Sequence, residues 1–405
     1  MGITTNIDDR VISLGAGLPA IPERLLLAHA RGEVLFITGA GISKPEPANL
    51  PDFRDLVLEV YKILDPVTHG VLIKIPPSAH NQWSIDSDNL TNQQTAEVKR
   101  FISKDYDVVL GMLERRIDGH SDNNNSVRQA IRKILHSQNN KPASIHRSLM
   151  RLADRGGAAT IITTNFDLLL QEAAKNIRMK VQTYSLGGIP RPSKNIDFSG
   201  IMHIHGALDR NPERLSELII SDQDFGEFYL RRRVVPDFIY DAARLYHLVL
   251  VGYSANDPPM RYLLNAVAAD GSRFSDLKER FAFVGTSEPD HVNIEDWRGR
   301  GITPIHYDAP DGDHSALYNS LQHWANFSAI NGNKKRLNAR IKKIVKTNYV
   351  EAPVNEKDLF DHFFRRSNAK ERTHLSKFIS NHRADIGWLG AIKGIMSEHN
   401  QEQRK

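Results

Sequence analysis

Short unbroken apolar runs alternate along the first three quarters of the chain with segments whose apolar positions recur every three to four residues. The runs are Val34-Leu35-Phe36-Ile37, Ala158 to Thr164, Gly200 to Gly206, Leu245 to Val251, Phe281 to Val284 and Gly301 to Tyr307. Continuous apolar stretches of this length fit strands buried on both faces of a parallel sheet. Helical spacing takes over between Arg54 and Lys141, in Leu56-Val57-Val60-Leu64, Val98-Phe101-Ile102, Val108-Val109-Leu113 and Val127-Ile131-Ile134-Leu135,. The polar stretches Ser84 to Gln94 and Asp122 to Asn125 mark loops in that region,. A further helix is expected over Leu168 to Ala174, and another opening at Pro258-Pro259,. The predicted fold is α/β. A parallel-sheet domain comprises residues 23–55 and 141–330, with an N-terminal segment at 1–22, an all-helical insertion at 56–140 and a helical C-terminal region at 331–405.

Charge separates that last region from the rest. Residues 331–405 hold 17 Lys and Arg against 8 Asp and Glu, while the whole chain of 405 residues is only +5, so everything before them is net negative. Lys334-Lys335-Arg336, Arg340, Lys342-Lys343 and Lys346 are interleaved with Leu337, Ile341, Ile344 and Val345, the pattern of an amphipathic basic helix,. Such a face contacts DNA phosphates or an acidic partner, or is simply solvated. Leu375, Phe378, Ile379, Trp388, Leu389 and Ile392 are expected in a core or a protomer interface.

Composition narrows the class. The length suggests two or three domains, and 40% hydrophobic residues can build real cores,. No apolar run approaches 18 residues, so no membrane span is expected. Met1 to Asp9 lacks the charged-then-apolar order of a signal peptide, which makes the cytoplasm the expected location,. The chain has no cysteine. Disulfides, thiol nucleophiles and Cys-ligated zinc are thereby excluded for these residues.

Chemistry gathers just past the apolar runs, where open α/β sheets bind ligands. The first run empties into Thr38-Gly39-Ala40-Gly41-Ile42-Ser43 and then Leu50-Pro51-Asp52-Phe53-Arg54; the next ends in Asn165-Phe166-Asp167, and the third in His205-Gly206. Two glycines at a strand mouth let backbone N–H groups approach a pyrophosphate. Lys44 replaces the usual third glycine, and Pro45 and Pro47 oppose a helix, so a tight strand-to-loop turn explains the glycines equally well,. His203 and His205 alternate along the same run; a metal pair and a buried structural role for His203 are both open,. Asn165 and Asp167 are also placed to cap the helix that follows.

Taken in order, Gly39 to Ser43, Pro51 to Arg54, Asn165 to Asp167 and His205-Gly206 resemble the motifs of the sirtuin family, over about residues 20 to 325 with one large interruption. The resemblance implies a Rossmann-like, sirtuin-type sheet and NAD+ as substrate. It implies that Asp167 holds the nicotinamide carboxamide, that Asn165 orients ribose hydroxyls and water, and that His205 is the base, its ordinary pKa of about 6.5 suiting proton transfer. It implies further that Phe53 shields the reactive ribose carbon, that Asp52 and Arg54 close the loop on the cofactor, and that Gly39, Ala40, Gly41 and Ser43 cradle the phosphates. Thr164 and the loops Gly252-Tyr253-Ser254 and Gly285-Thr286 line the rest of the dinucleotide. Two departures bear on the nicotinamide contacts: the loop from Ser43 to Pro51 is longer than the family's, and Phe166 replaces an isoleucine.

Sirtuins that deacylate lysine carry a four-cysteine zinc ribbon after the His-Gly motif. Residues 207–226 are too short for one and contain no ligand, so no zinc is expected and water is favoured as acceptor. Ile302 to Tyr307 and His314 resemble the cysteine-free sirtuin-like proteins of bacterial antiphage systems. That likeness implies an NAD+ glycohydrolase acting as a toxic effector, a homo-oligomer, and a separate HerA-type P-loop translocase as partner, since this chain has no Gly-x-x-x-x-Gly-Lys-[Ser/Thr],. A deacylase or ADP-ribosyltransferase and a non-catalytic NAD or ADP-ribose sensor are the rival classes.

Overall fold

The computed structural model describes residues 10–79, 83–84, 89–119, 125–136, 140–209, 212–253, 264, 277–286, 291–382 and 384–402. A short antiparallel hairpin, β1 (Val11–Ser13) and β2 (Ala20–Pro22), precedes the sheet. The sheet strands are β3 (Val34–Thr38), β4 (Thr160–Thr163), β5 (Thr183–Ser185), β6 (Gly200–His203), β7 (His247–Val251), β8 (Arg280–Thr286) and β9 (Thr303–Asp308). Among the described residues these seven lie in the order β5-β6-β4-β3-β7-β8-β9, all parallel. Every apolar run of the sequence is therefore a strand, and the fold is a Rossmann-like α/β sheet.

Alternation along the strands divides the interior into two cores. Val34 and Phe36 of β3 face a core with Ile161, Val249, Phe281 and Ile305, covered by the helices Glu23–Ala30, Ser144–Ala153, Leu169–Asn176 and Ser315–Phe327. Leu35 and Ile37 face the other, with Ile162, Met202, Leu250 and Ala282, under the helix Val234–Leu245. A Cβ alternates across a strand, so two adjacent apolar residues load both faces. That is why the runs are continuous rather than alternating.

Between β3 and β4 the described segments are helical: Phe53–Leu64, Pro66–Leu72, Asn92–Ile102, Tyr106–Ile117 and Ser126–Leu135. They share a third core, centred on Val57, Val60, Val98, Leu110, Leu113 and Ile131. Leu208, Leu215, Leu218 and Ile220, from the segment after β6, are buried in that same core.

The C-terminal helices, Lys334–Ile344, Val354–Arg365, Ala369–Asn381 and Ile386–Glu402, do not stand apart. Leu337, Ile341, Phe360, Phe363, Phe364, Leu375, Ile379, Trp388 and Ile392 join the first sheet core. Glu23 beside the hairpin pairs with His362 at 3.1 Å and with Arg365 at 3.4 Å. The helix expected at Pro258-Pro259 lies outside the described residues.

Candidate functional site

One line of paired residues runs across the sheet near the carboxyl ends of its strands: Ser185, His203, Thr163, Thr38 and Val251 are successive partners. The motifs at Gly39, Asn165 and His205 begin one or two residues beyond that line. Asn165 and His205 both sit two positions past it, on neighbouring strands, and Gly39 and Gly252 sit one past it. The chain runs outward from β3 to β4 in one direction and later returns to β7 in the other, so the crevice between β3 and β7 is the switch point at which such sheets bind ligands,.

The glycines at the crevice serve packing between the two loops. A Cβ on Gly41 would come within 2.9 Å of the Gly252 Cα, and one on Gly39 within 2.8 Å of the Gly252 carbonyl oxygen. Gly252 is left-handed, φ +75°, and a Cβ there would meet the Ile42 nitrogen at 2.8 Å,. The Gly39 N–H donates to the Val251 carbonyl and the Gly41 N–H to the Gly252 carbonyl, both at 3.0 Å. These two amides are bonded to β7 and its loop. Ala40 to Ser43 form a single 3-10 turn. Tyr253 lies across the crevice, its hydroxyl 3.0 Å from both the Thr38 carbonyl and Thr164 Oγ1.

Ser43 belongs to a different group from the one expected. Its Oγ lies 3.0 Å from Asp167 Oδ2, 3.2 Å from His146 Nε2 and 3.3 Å from Asn165 Nδ2. His146 is fully buried, and its Nδ1 accepts from the Ala143 N–H at 3.1 Å, so the ring proton is on Nε2,. Ser43 Oγ thus accepts from His146 and Asn165 and donates to Asp167, which uses its whole hydrogen-bonding capacity. Burial holds the His146 ring neutral, with its pKa down at about 3. Burial likewise raises the Asp167 carboxyl, opposed by the Leu169 N–H and the Ser43 hydroxyl. The Leu169 bond, 3.0 Å to Oδ1, shows that Asp167 also opens the following helix.

His203 holds this group from behind. Its Nδ1 donates to the Asn165 carbonyl at 2.8 Å, and its Nε2 accepts from the Gln171 amide at 2.7 Å. Both ring nitrogens are engaged, which is the buried structural role. Among the described residues no group of three or more His, Asp or Glu side chains is placed to hold a metal ion.

His205 stands apart from that network. Its Nε2 lies 2.6 Å from the Tyr229 hydroxyl, and the edges of Phe225 and Tyr229 close over the ring. Burial brings its pKa down to about 3, far below the ordinary value expected of the base. The imidazole is therefore neutral at physiological pH, with proton affinity sacrificed to an apolar surrounding. Tyr229 is carried on a π-helical turn, Gly226–Arg231. Gly206, at φ +91°, turns the chain where a Cβ would meet the Glu217 carbonyl oxygen at 2.8 Å.

The wall over His205 is pinned to the helical insertion. Arg128 is fully buried; it pairs with Glu114 at 3.0 Å and Asp224 at 2.9 Å, and donates to the Leu215 and Leu218 carbonyls. Asp224 Oδ2 in turn accepts from the Ile220 and Ser221 amides. The Ile219 N–H donates to the His205 carbonyl at 2.9 Å, so one chain of contacts runs from Arg128 to His205.

Other expected residues have structural partners. Arg54 donates to the Ile75 carbonyl at 2.7 Å and lies over the Phe101 ring. Asp52 caps the helix Phe53–Leu64 through the Asp55 N–H and binds Lys44 at 2.7 Å. Against the upward pull of burial, those two contacts take its pKa below the ordinary carboxylate value. Phe53 meets Tyr106 edge-on in the insertion core. Gly285 leaves room for the Tyr307 ring, 2.7 Å from where its Cβ would be, and Thr286 bonds His306. Ser254 lies outside the described residues.

His146, Tyr229 and Arg128 were not singled out by the sequence. The signal for His146 was its place as third residue of a helix just after Pro142-Ala143, where a side chain reaches back to the N-terminal amide,. Nothing local marks Tyr229 or Arg128, whose partners are distant in sequence.

Residues 159–305 match the family model described as a SIR2-like domain. The match holds Asn165, Asp167, His205 and Gly252, and begins after the Gly39 and Pro51 motifs. Over 373 residues the chain is 31% identical to an uncharacterized protein, y4cA, of Sinorhizobium fredii, with 86% of this chain and 28% of that protein covered. The chain thus spans less than a third of that curated relative's length. A solved structure described as "Structural Basis for the Mechanism and Regulation of Sir2 Enzymes" is similar with a TM-score of 0.36 and 14% identity, over 78% of this chain and 98% of that one. Residues 159–305 are thus similar to a SIR2-like domain.

Proposed function

We propose that the chain is an NAD+ glycohydrolase that cleaves NAD+ to nicotinamide and ADP-ribose. A SIR2-like domain implies an NAD-related enzyme; the observation that supports hydrolysis in particular is the grouping of Ser43, His146, Asn165 and Asp167 past the carboxyl ends of β3 and β4, with a neutral His205 one strand away. The bond between C1′ of the ribose and the nicotinamide nitrogen breaks, its electron pair neutralising the pyridinium, while C1′ gains oxocarbenium character. Water then bonds to C1′ and gives up a proton. Because the leaving group is already good, the protein mainly positions and excludes bulk water.

Each residue has a task that its contacts allow. Ser43 fixes Asn165 Nδ2, so Asn165 Oδ1 is the acceptor left for a ribose hydroxyl or the attacking water. Asp167 accepts from the Ser43 hydroxyl at Oδ2 and from the Leu169 N–H at Oδ1, with the Asn165 side chain and its own N–H also bonded to it, and by resemblance its carboxylate meets the carboxamide. By resemblance His205 takes the water's proton, as a weak base held neutral by its apolar setting and with Tyr229 leaving Nε2. General-base help of this kind is worth roughly 10² to 10⁴ in rate. The segment after His205-Gly206 closes the insertion core where a deacylase has its ribbon, which favours water over an acyl-lysine peptide. By resemblance, NAD+ depletion during phage infection is the proposed role, in the cytoplasm, as a homo-oligomer joined by a HerA-type translocase.

Nicotinamide release from NAD+ by the purified chain, alone and with its neighbouring gene product, tests this reading beside Asn165→Ala and His205→Ala. Both variants are expected to lose about 10² to 10⁴ in rate. Transfer of labelled ADP-ribose to protein would replace hydrolysis with transfer. NAD+ binding without release under every condition would favour a sensor, the reading that the Tyr229 contact on His205 supports.

A further inference from the structure

The helix Lys334–Ile344 buries Leu337, Ile341 and Ile344 against the first sheet core and leaves its other side to solvent. Lys335, Arg336, Lys342, Lys343 and Lys346 are all exposed, the last in the turn that follows the helix. At about 100° per residue, Lys335, Lys342 and Lys346 fall within about 40° of one another, and Arg336 and Lys343 lie beside them. With a rise of about 1.5 Å per residue, Lys335 to Lys346 is a line about 16 Å long.

Nothing in the described structure neutralises this line. None of the five forms an ion pair among the described residues; Glu356 is engaged instead by Arg340 at 3.4 Å. The positive field reaches the residues behind the helix. Burial lowers the pKa values of Arg151 and His323, and the charge of Arg336, joined at His323 by Arg340, lowers them further.

We propose that this face is a nucleic-acid surface that binds the phosphate backbone without reading sequence. A duplex strand presents one phosphate about every 3.4 Å along the axis, so a 16 Å line of cations faces four or five of them. An acidic protein has no such fixed repeat. Lysine ammoniums are point charges on flexible stems, and no aromatic side chain lies among the five to stack on a base. This surface needs neither NAD+ nor the crevice, so it stands or falls independently of the glycohydrolase reading.

Fluorescence anisotropy of a labelled 20-base-pair duplex of arbitrary sequence, titrated with the full chain from 50 to 200 mM NaCl, tests it. Four to five neutralised phosphates give a slope of log K on log salt of about −4, a loss of about 250-fold across that range. The triple variant Lys335→Gln, Lys342→Gln, Lys346→Gln is expected to flatten the slope by about 2.7. Lys370→Gln with Lys377→Gln, on the helix Ala369–Asn381, is expected to leave it unchanged. All these side chains are exposed, so superimposable melting curves accompany the expected result. No binding at 50 mM, an unchanged slope in the triple variant, or polyglutamate displacing the duplex at lower charge concentration than unlabelled DNA would each overturn it, the last in favour of an acidic protein partner.

Discussion

At the carboxyl ends of β3 and β4 every hydrogen-bonding position of Ser43 has a partner, whereas one strand away His205 has a single hydroxyl at Nε2 and two aromatic edges. The first arrangement is rigid because moving any member leaves a buried donor or acceptor unmatched. The second carries no such penalty, and its wall is made by residues 219–229, which hang on the insertion through Arg128 and Asp224. One side of the site is therefore fixed by the sheet. The other is supported by the helical insertion.

The largest test of this difference is Arg128→Met. It leaves the Glu114 and Asp224 carboxylates buried without their counterion, a loss of about 3–5 kcal/mol. Hydrogen exchange should then show the amides of Ile219 and Phe225 losing protection before those of Ile161 and Ile162. Equal loss in both places would mean that the two sides of the site form one unit. Ser43→Ala acts on the fixed side. It strands Asp167 Oδ2 and His146 Nε2–H, at a cost of about 1–3 kcal/mol. Denaturant unfolding measures it, and a change below about 0.5 kcal/mol, the level of an ordinary surface substitution, would show that the group is not locked.

The strands and their polar ends were legible because a buried parallel strand is a local apolar run and the polar residues at its carboxyl end follow it directly. Asn165, Asp167 and His205 were found this way. What joins them was not. Ser43 sits in a glycine loop that reads as a phosphate cradle, yet its hydroxyl is claimed by His146 of a helix about 100 residues on and by Asp167 of the next strand end. Gly39 and Gly41 show the same limit: a glycine reports that something comes close, and the neighbour that comes close within the chain is Gly252. Arg54 follows a strand-end motif, but its partners, Ile75 and Phe101, lie in the insertion, which no spacing within the motif reveals. The basic helix was readable from period and charge; that its apolar side completes the sheet core depended on tertiary packing.

The smallest effect concerns protons and bears on both sides at once. Burial lowers His205 and His146 to about 3 and His203 to about 4, from an ordinary 6.5. Above about 6.5 neither the folded nor the unfolded chain protonates these rings. As pH falls below that value the unfolded chain takes up protons that the folded chain refuses, so stability declines until the folded pKa is reached. Each ring contributes up to about 1.4 kcal/mol per pH unit in that window. His205→Gln and His146→Gln are each expected to flatten the fall in unfolding free energy between pH 5.5 and 4.5 by about one such step. The rate should behave differently. Because His205 is neutral throughout, nicotinamide release per folded molecule is expected to stay level from about pH 8 to about pH 5, without an acid limb near 6.5. A limb at that pH, abolished in His205→Gln, would show a solvated imidazole with an ordinary pKa, and the contrast between a fixed side and an apolar side of the site would fail.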